Sequence, residues 1–289
     1  MIDYNPKAWF TFIFRFHKGD TVRKLSPMFI GLSIYSAAVA YIEMDFFKLK
    51  ADSELKNIVI VHTLLGFVIS TLLVFRTNTA YDRWWEGRKH WGSLVNNSRN
   101  LAIKLSAILP LTNTASREYF RIMIPNYAFA LKNHLRMNFI GGELETVTGF
   151  TADTTKHVPN QIAAHILAHI HELYRQQQIS GEQLLSINHE LQAFTDICGA
   201  CERIRNTPIP FSYSVFIKKF IFFYVMTLPL GYVFTVGYLI IPVVVFVFYV
   251  LASLELIAEE IEDPFGFDAN DLPTDTISAN IRKHVAEIL

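Results

Sequence analysis

Four apolar stretches set around a polar middle constrain this chain more than any single residue does. They run approximately from Ser26 to Ile42, Ile58 to Phe75, Phe220 to Phe234 and Gly237 to Leu256. Each approaches the roughly 20 residues, at about 1.5 Å rise per residue, that cross a hydrocarbon core as a helix. Backbone groups in lipid need internal partners, so such stretches predict transmembrane helices, two before and two after the polar segment. The hydrophobic share of 51% and the 24 phenylalanines are what four spans add to an ordinary composition. The 26 basic residues balance 26 acidic ones and are scattered, which excludes a nucleic-acid footprint.

Charge placement sets the expected orientation. Lys7, Arg15, Lys18, Arg23 and Lys24 precede the first span, whereas Lys48, Lys50 and Lys56 in the next loop are offset by Asp45, Asp52 and Glu54. The bias puts the amino terminus in the cytoplasm. Four crossings then place residues 77–210 and the tail from about 257 there too, in an inner membrane. The first twenty residues lack the apolar core of a cleavable signal peptide. Cys198 and Cys201 fall on the reducing side, so no structural disulfide is expected.

The organisation reads as all-α in four parts. Residues 1–76 hold an interfacial segment marked by Phe10, Phe12, Phe14 and Phe16, followed by two spans. Residues 77–210 form a helical domain, 211–257 two more spans, and 258–289 a carboxy-terminal segment. The second span reads on without Gly or Pro from Phe67 through Tyr81, Trp84, Trp85 and Glu86, and without Pro past Trp91 and Leu94, predicting one helix of about fifty residues that leaves the membrane and continues into the cytoplasm. Pro110 ends it, and Thr112-Asn113-Thr114 caps another helix to about Asn138. Further helices are expected over Gln161–Gln178 and Gly181–Arg205, the latter stopped by Asn206-Thr207-Pro208-Ile209-Pro210.

Sites of chemistry are sparse. Cys198-Gly-Ala-Cys201 has redox or half-zinc spacing but lacks both the βαβ setting and the further ligands such roles require, so it reads as small residues buried in a helix. His165 and His169 share a helical face and His171 with Glu172 follow, giving a metalloenzyme alternative beside a plain hydrogen-bonding role. No nucleophile elbow or paired carboxylates appear, and no enzyme, metal or cofactor is expected. The charged and aromatic run Arg76, Asn78, Asp82, Arg83, Trp84 and Glu86 suits an interfacial belt whose polar groups need partners from other helices or subunits. Glu259-Glu260-Ile-Glu262-Asp263-Pro264-Phe265-Gly266 after the fourth stretch is, alone, an acidic turn or an oxygen-lined cation site.

Taken together, Arg76-Thr-Asn78-Thr-Ala-Tyr81-Asp82-Arg83-Trp84-Trp85-Glu86, Cys201-Glu202-Arg203-Ile204 with Thr207-Pro208-Ile209-Pro210, and Glu259 through Gly266 resemble the bestrophin family of pentameric ion channels, in its bacterial four-span branch. The resemblance implies a homopentamer in a lipid bilayer, with a pore lined by five second spans and a neck of three side chains at Phe67, Thr71 and Phe75. Those positions repeat every four residues and share one helix face. It implies a second constriction near the helix starting at Gly181, at Glu182 or Gln183, with Ile179 as the fallback. It gives Asp263, Pro264 and the Arg76-to-Glu86 run packing roles. Phe267, Ala269 and Asn270 interrupt the acidic run that forms a calcium clasp in animal relatives, leaving Asp268 and Asp271. Monovalent cations such as Na⁺ and K⁺ are expected to be favoured slightly over chloride. An anion channel is the alternative, and a scaffold without conduction is a third reading.

Overall fold

The computed structural model describes residues 21–48 and 58–289. The Phe10–Phe16 segment and most of the charges used for orientation lie outside them. Among the described residues there is no strand, and eight α-helices build the chain: α1 (Thr21–Tyr41), α2 (Ile58–Ile108), α3 (Thr114–Leu135), α4 (Val158–Arg175), α5 (Gly181–Asn206), α6 (Phe211–Val236), α7 (Ile240–Glu262) and α8 (Thr274–Ile288). A π-helical turn, Ile42–Phe46, extends α1.

Local chemistry sets the boundaries. Asn113 caps α3 by accepting from Ser116 N at 3.1 Å. Ser180 and Gln183 close a capping box at the start of α5. The rigid Thr207-Pro208-Ile209-Pro210 segment separates α5 from α6. Gly237 sits at φ 58°, a conformation that glycine adopts without steric cost, and separates the third and fourth apolar stretches as α6 and α7. Three stretches are long and apolar enough to cross a membrane, Thr21–Phe46, Ile58–Ile108 and Phe211–Glu262. The third is the α6–α7 hairpin, in which Lys218 near the start of α6 meets Glu259 near the end of α7 at 2.9 Å.

Two apolar cores result, and α2 runs through both. One joins Leu25 and Leu32 of α1, Ile69 and Leu73 of α2, Ile217 and Val225 of α6, and Val244 and Phe248 of α7. The other joins Trp91, Leu101 and Leu105 of α2 to Phe120 and Tyr127 of α3, Ile162 and Ile166 of α4, Phe194 of α5, and Ile281 and Val285 of α8. At 51 residues α2 is about 75 Å long, enough to cross a bilayer and continue as the spine of the polar body. The carboxy-terminal segment is part of that body, since α8 packs on α2 and α3. Buried Lys132 of α3 holds it there, with Nζ 2.6 Å from Glu143 and 2.9 Å from Asp275.

Candidate permeation path

The apolar half of α2 has one packed side and one open side. Ile69, Leu73, Arg76 and Ala80, spaced three and four residues apart, are buried. Phe67 is 75% and Phe75 61% exposed, with Thr71 half-buried between them. Phe67 to Phe75 spans about 12 Å of rise. The Thr71 hydroxyl donates to Phe67 O at 2.9 Å, so its polarity is already engaged within the helix. Followed along α2 in steps of three or four residues, the open side turns polar, through Asn78, Asp82, Lys89, Asn96 and Asn100, all exposed.

The three motifs meet where the apolar and polar parts join. Arg76 is buried, with Nη2 2.7 Å from Glu262 and Nε 3.4 Å from Glu255. The Arg83 guanidinium donates to the carbonyl oxygens of Ile204, Thr207 and Glu262, stitching α2 to the ends of α5 and α7. Glu262 in turn accepts from Ile209 N at 2.6 Å. Trp84 Nε1 donates to Asn270 O, and Glu86 pairs with Arg203 at 2.7 Å. A side chain at Gly87 would stand 3.0 Å from the Phe265 ring and 3.2 Å from Pro264, so the absent Cβ lets the Pro-Phe-Gly turn approach α2. Asp263 faces the Phe265 amide at 3.5 Å, a distant contact.

Asn78 and Asp82 behave differently from the rest of their motif. Both are exposed, and neither side chain has a hydrogen-bond or ion-pair partner among the described residues. Within the chain they do not pack as expected. Their place is on the line that continues from Thr71.

At the other candidate constriction the structure separates the three residues. Ile179 is buried in the second core. Gln183 Oε1 accepts from Ser180 N, committing that side chain to the cap. Glu182 is exposed and accepts from Ser180 Oγ at 2.7 Å, a bond that holds its carboxyl below the ordinary range. Leu185, 74% exposed in the same helical turn, escapes sequence reasoning because beside Leu184 and Ile187 it reads as one more core residue.

The histidine alternative does not assemble. His165 Nδ1 lies 2.6 Å from the Tyr119 hydroxyl, and His169 stacks on the Tyr119 ring at 4.1 Å while meeting Ser116 Oγ at 3.3 Å. Burial, with His165 nearby, holds the His169 imidazole below its ordinary pKa. Glu172 is turned to Arg175 and Gln176, and His171 is exposed. Cys198 and Cys201 are free and buried as expected, and burial pushes the Cys198 thiol up to about 12. Of the acids at the end of α7 and in the turn beyond it, Glu260 accepts from Lys24 and Asn270, and Asp271 accepts from Asp268 N through Oδ2 while its Oδ1 is buried without a partner.

The family described as Bacterial/Fungal Bestrophin protein matches residues 1–287 of the chain. The chain belongs to that family. Relatives include proteins named voltage-dependent anion channel-forming proteins. One from Nostoc sp. is 34% identical over 98% of this chain and 92% of its own length. Another, YneE from Escherichia coli, is 31% identical over 96% of this chain and 90% of its own. A crystal structure of a bacterial bestrophin homologue from Klebsiella pneumoniae, carrying a point mutation, superposes with a TM-score of 0.81 at 26% identity, covering 92% of this chain and 98% of that one. With its apolar helices this bestrophin is a membrane protein of an ion-channel family, and family membership agrees with a non-enzymatic role.

Proposed function

We propose that this bestrophin is one subunit of a homopentameric channel through which monovalent ions move passively down their electrochemical gradient. The observation that carries the reading is the open side of α2. Phe67 and Phe75 stand exposed with half-buried Thr71 between them, on a line opposite the packed face of Ile69, Leu73 and Arg76, and one chain alone leaves that line uncovered. Five such lines around an axis make a throat that dewets when narrow, because an ion inside loses hydration without replacement ligands. In this arrangement α1, the first part of α2, α6 and α7 supply four spans, and the polar body and both termini face the cytoplasm of an inner membrane.

The relatives' names favour anions over the cation preference expected from sequence. The positive ring edges of Phe67 and Phe75 give an anion a favourable contact. Asp82 supports the cation reading: it is unpaired among the described residues, exposed and about 10 Å beyond Phe75 on the same line, where five carboxylates would concentrate cations. At the far end Glu182, rather than Gln183 or Ile179, keeps a free surface for a second constriction.

Purified protein reconstituted into planar bilayers under a NaCl gradient tests the reading. The expected result is a stable conductance whose reversal potential lies on the chloride side, with Asp82→Asn moving it further that way. A reversal potential on the sodium side that Asp82→Asn abolishes selects the cation reading. Protomer-sized particles in detergent together with no conductance would falsify the channel itself.

A further inference from the structure

We propose that His134, His157 and Glu202 form a binding site for one divalent transition-metal ion of the zinc type, at the junction of α3, α4 and α5. His134 lies in the last turn of α3, His157 is the residue that caps α4, and Glu202 lies near the end of α5. Both imidazole Nε2 atoms converge on one carboxylate oxygen, at 2.6 Å from His134 and 2.8 Å from His157, and the rings are 4.2 Å apart. All three ligand atoms lie within 4.8 Å of one another, so bonds of about 2 Å to a common ion require only small side-chain shifts. Two imidazole nitrogens with one carboxylate suit zinc and its neighbours and are poor ligands for calcium or magnesium.

The surroundings permit an ion to enter and complete its shell. Each ligand is about 30% exposed. A cavity of about 260 Å³ opens beside His134, lined also by Asn133, Met137, Lys156 and Arg205. The Lys156 ammonium is paired with Asp153 at 3.1 Å, which reduces its repulsion of a cation. Arg205 fixes the backbone by donating to His134 O. Cys198 Sγ, 4.0 Å from His157 Nε2, is the nearest soft donor.

The protons balance. His157 Nδ1 accepts from Asn160 N at 3.1 Å, so in the metal-free form Nε2 carries the ring proton and points it at Glu202. An ion bound at Nε2 displaces that proton to Nδ1. The Asn160 amide, at an exposed helix start, then turns to water. His134 undergoes the same tautomer exchange.

Full-length protein stripped with EDTA, titrated with ZnCl₂ by calorimetry and assayed for retained metal after desalting, is expected to hold a single zinc ion per chain. His134→Ala and Glu202→Gln should each weaken binding by roughly 10- to 100-fold or more, the range seen even for residues behind the ligands. His165→Ala should leave binding unchanged. No saturable uptake, or unaltered uptake in both ligand variants, overturns the assignment. Cobalt(II) added to the wild-type protein gives an answer that does not depend on a variant folding. Intense visible bands of a four- or five-coordinate ion support the site, and a spectrum matching the aqueous ion overturns it.

Discussion

At the scale of single residues, Thr71 would set the character of the proposed neck. Its hydroxyl is spent on Phe67 O, so what it offers the path is its small size. Replacing it with Ile adds apolar bulk on the line of Phe67 and Phe75. Single-channel conductance of Thr71→Ile is expected to fall, about five-fold for each added kcal/mol of barrier, while the near-isosteric Thr71→Val stays close to wild type. A Thr71→Ile conductance at or above wild type contradicts a neck at this position. The period-four spacing of these three residues is readable from sequence, but their exposure is not. Any apolar stripe on a span can face lipid, another helix or a pore, and only the burial of Ile69, Leu73 and Arg76 on the opposite side identifies the open face.

At the scale of elements, residues distant in sequence determine how helices dock. The length of α2 and its end near Pro110 are legible, because no Pro interrupts the run and Gly87 and Gly92 stand singly within a continuous helical pattern, which leaves one helix as the simple outcome. The docking of α8 is not. It depends on Lys132, a residue in the last turn of α3 that is 1% exposed and bridges Glu143 to Asp275. No local pattern marks a lysine for burial, since its partners lie 11 and 143 positions away. The same bridge, reinforced by Arg136, overcomes the effect of burial on Asp275 and holds that carboxyl down to about 2. Lys132→Met leaves Glu143 without its cation and Asp275 with Arg136 alone, and is expected to destabilise the fold by about 1.5–3 kcal/mol, the range for a charge-assisted hydrogen bond, since both carboxylates keep some access to water. Thermal unfolding in detergent measures it; a melting temperature within a degree of wild type contradicts the role. The histidine pair with Glu202 is equally hidden, because its members come from three separate places in the chain, whereas the sequence-local cluster at His165 and His169 stands out and assembles no site.

At the scale of the whole molecule, stability follows the acidic turn after α7. Asp271 is 3% exposed. Burial pushes its carboxyl up to about 7, opposed by the Asp268 amide and aided by repulsion from Asp268, Asp263 and Glu260. The sign is fixed by linkage. The unfolded chain releases this proton near pH 4 and the folded chain near 7, so folded stability declines between those values and is level above. The full span is on the order of 4 kcal/mol for a shift of that size. Asp271→Asn is expected to flatten the melting temperature between pH 4 and 7 and to exceed wild type above 7; parallel profiles for the two proteins contradict this. The turn's position after the fourth apolar stretch is visible in sequence, as is its family resemblance. Its coupling to Trp84 and Gly87 is not, since it arises only when α7 returns beside α2.

The continuity of α2 has a mechanical consequence. A rod hydrogen-bonded from Ile58 to Ile108 carries Phe75 and Trp91 on the same shaft. Torque applied among the buried aromatics of the polar body therefore reaches the rings of the proposed throat directly, with no joint between to absorb it.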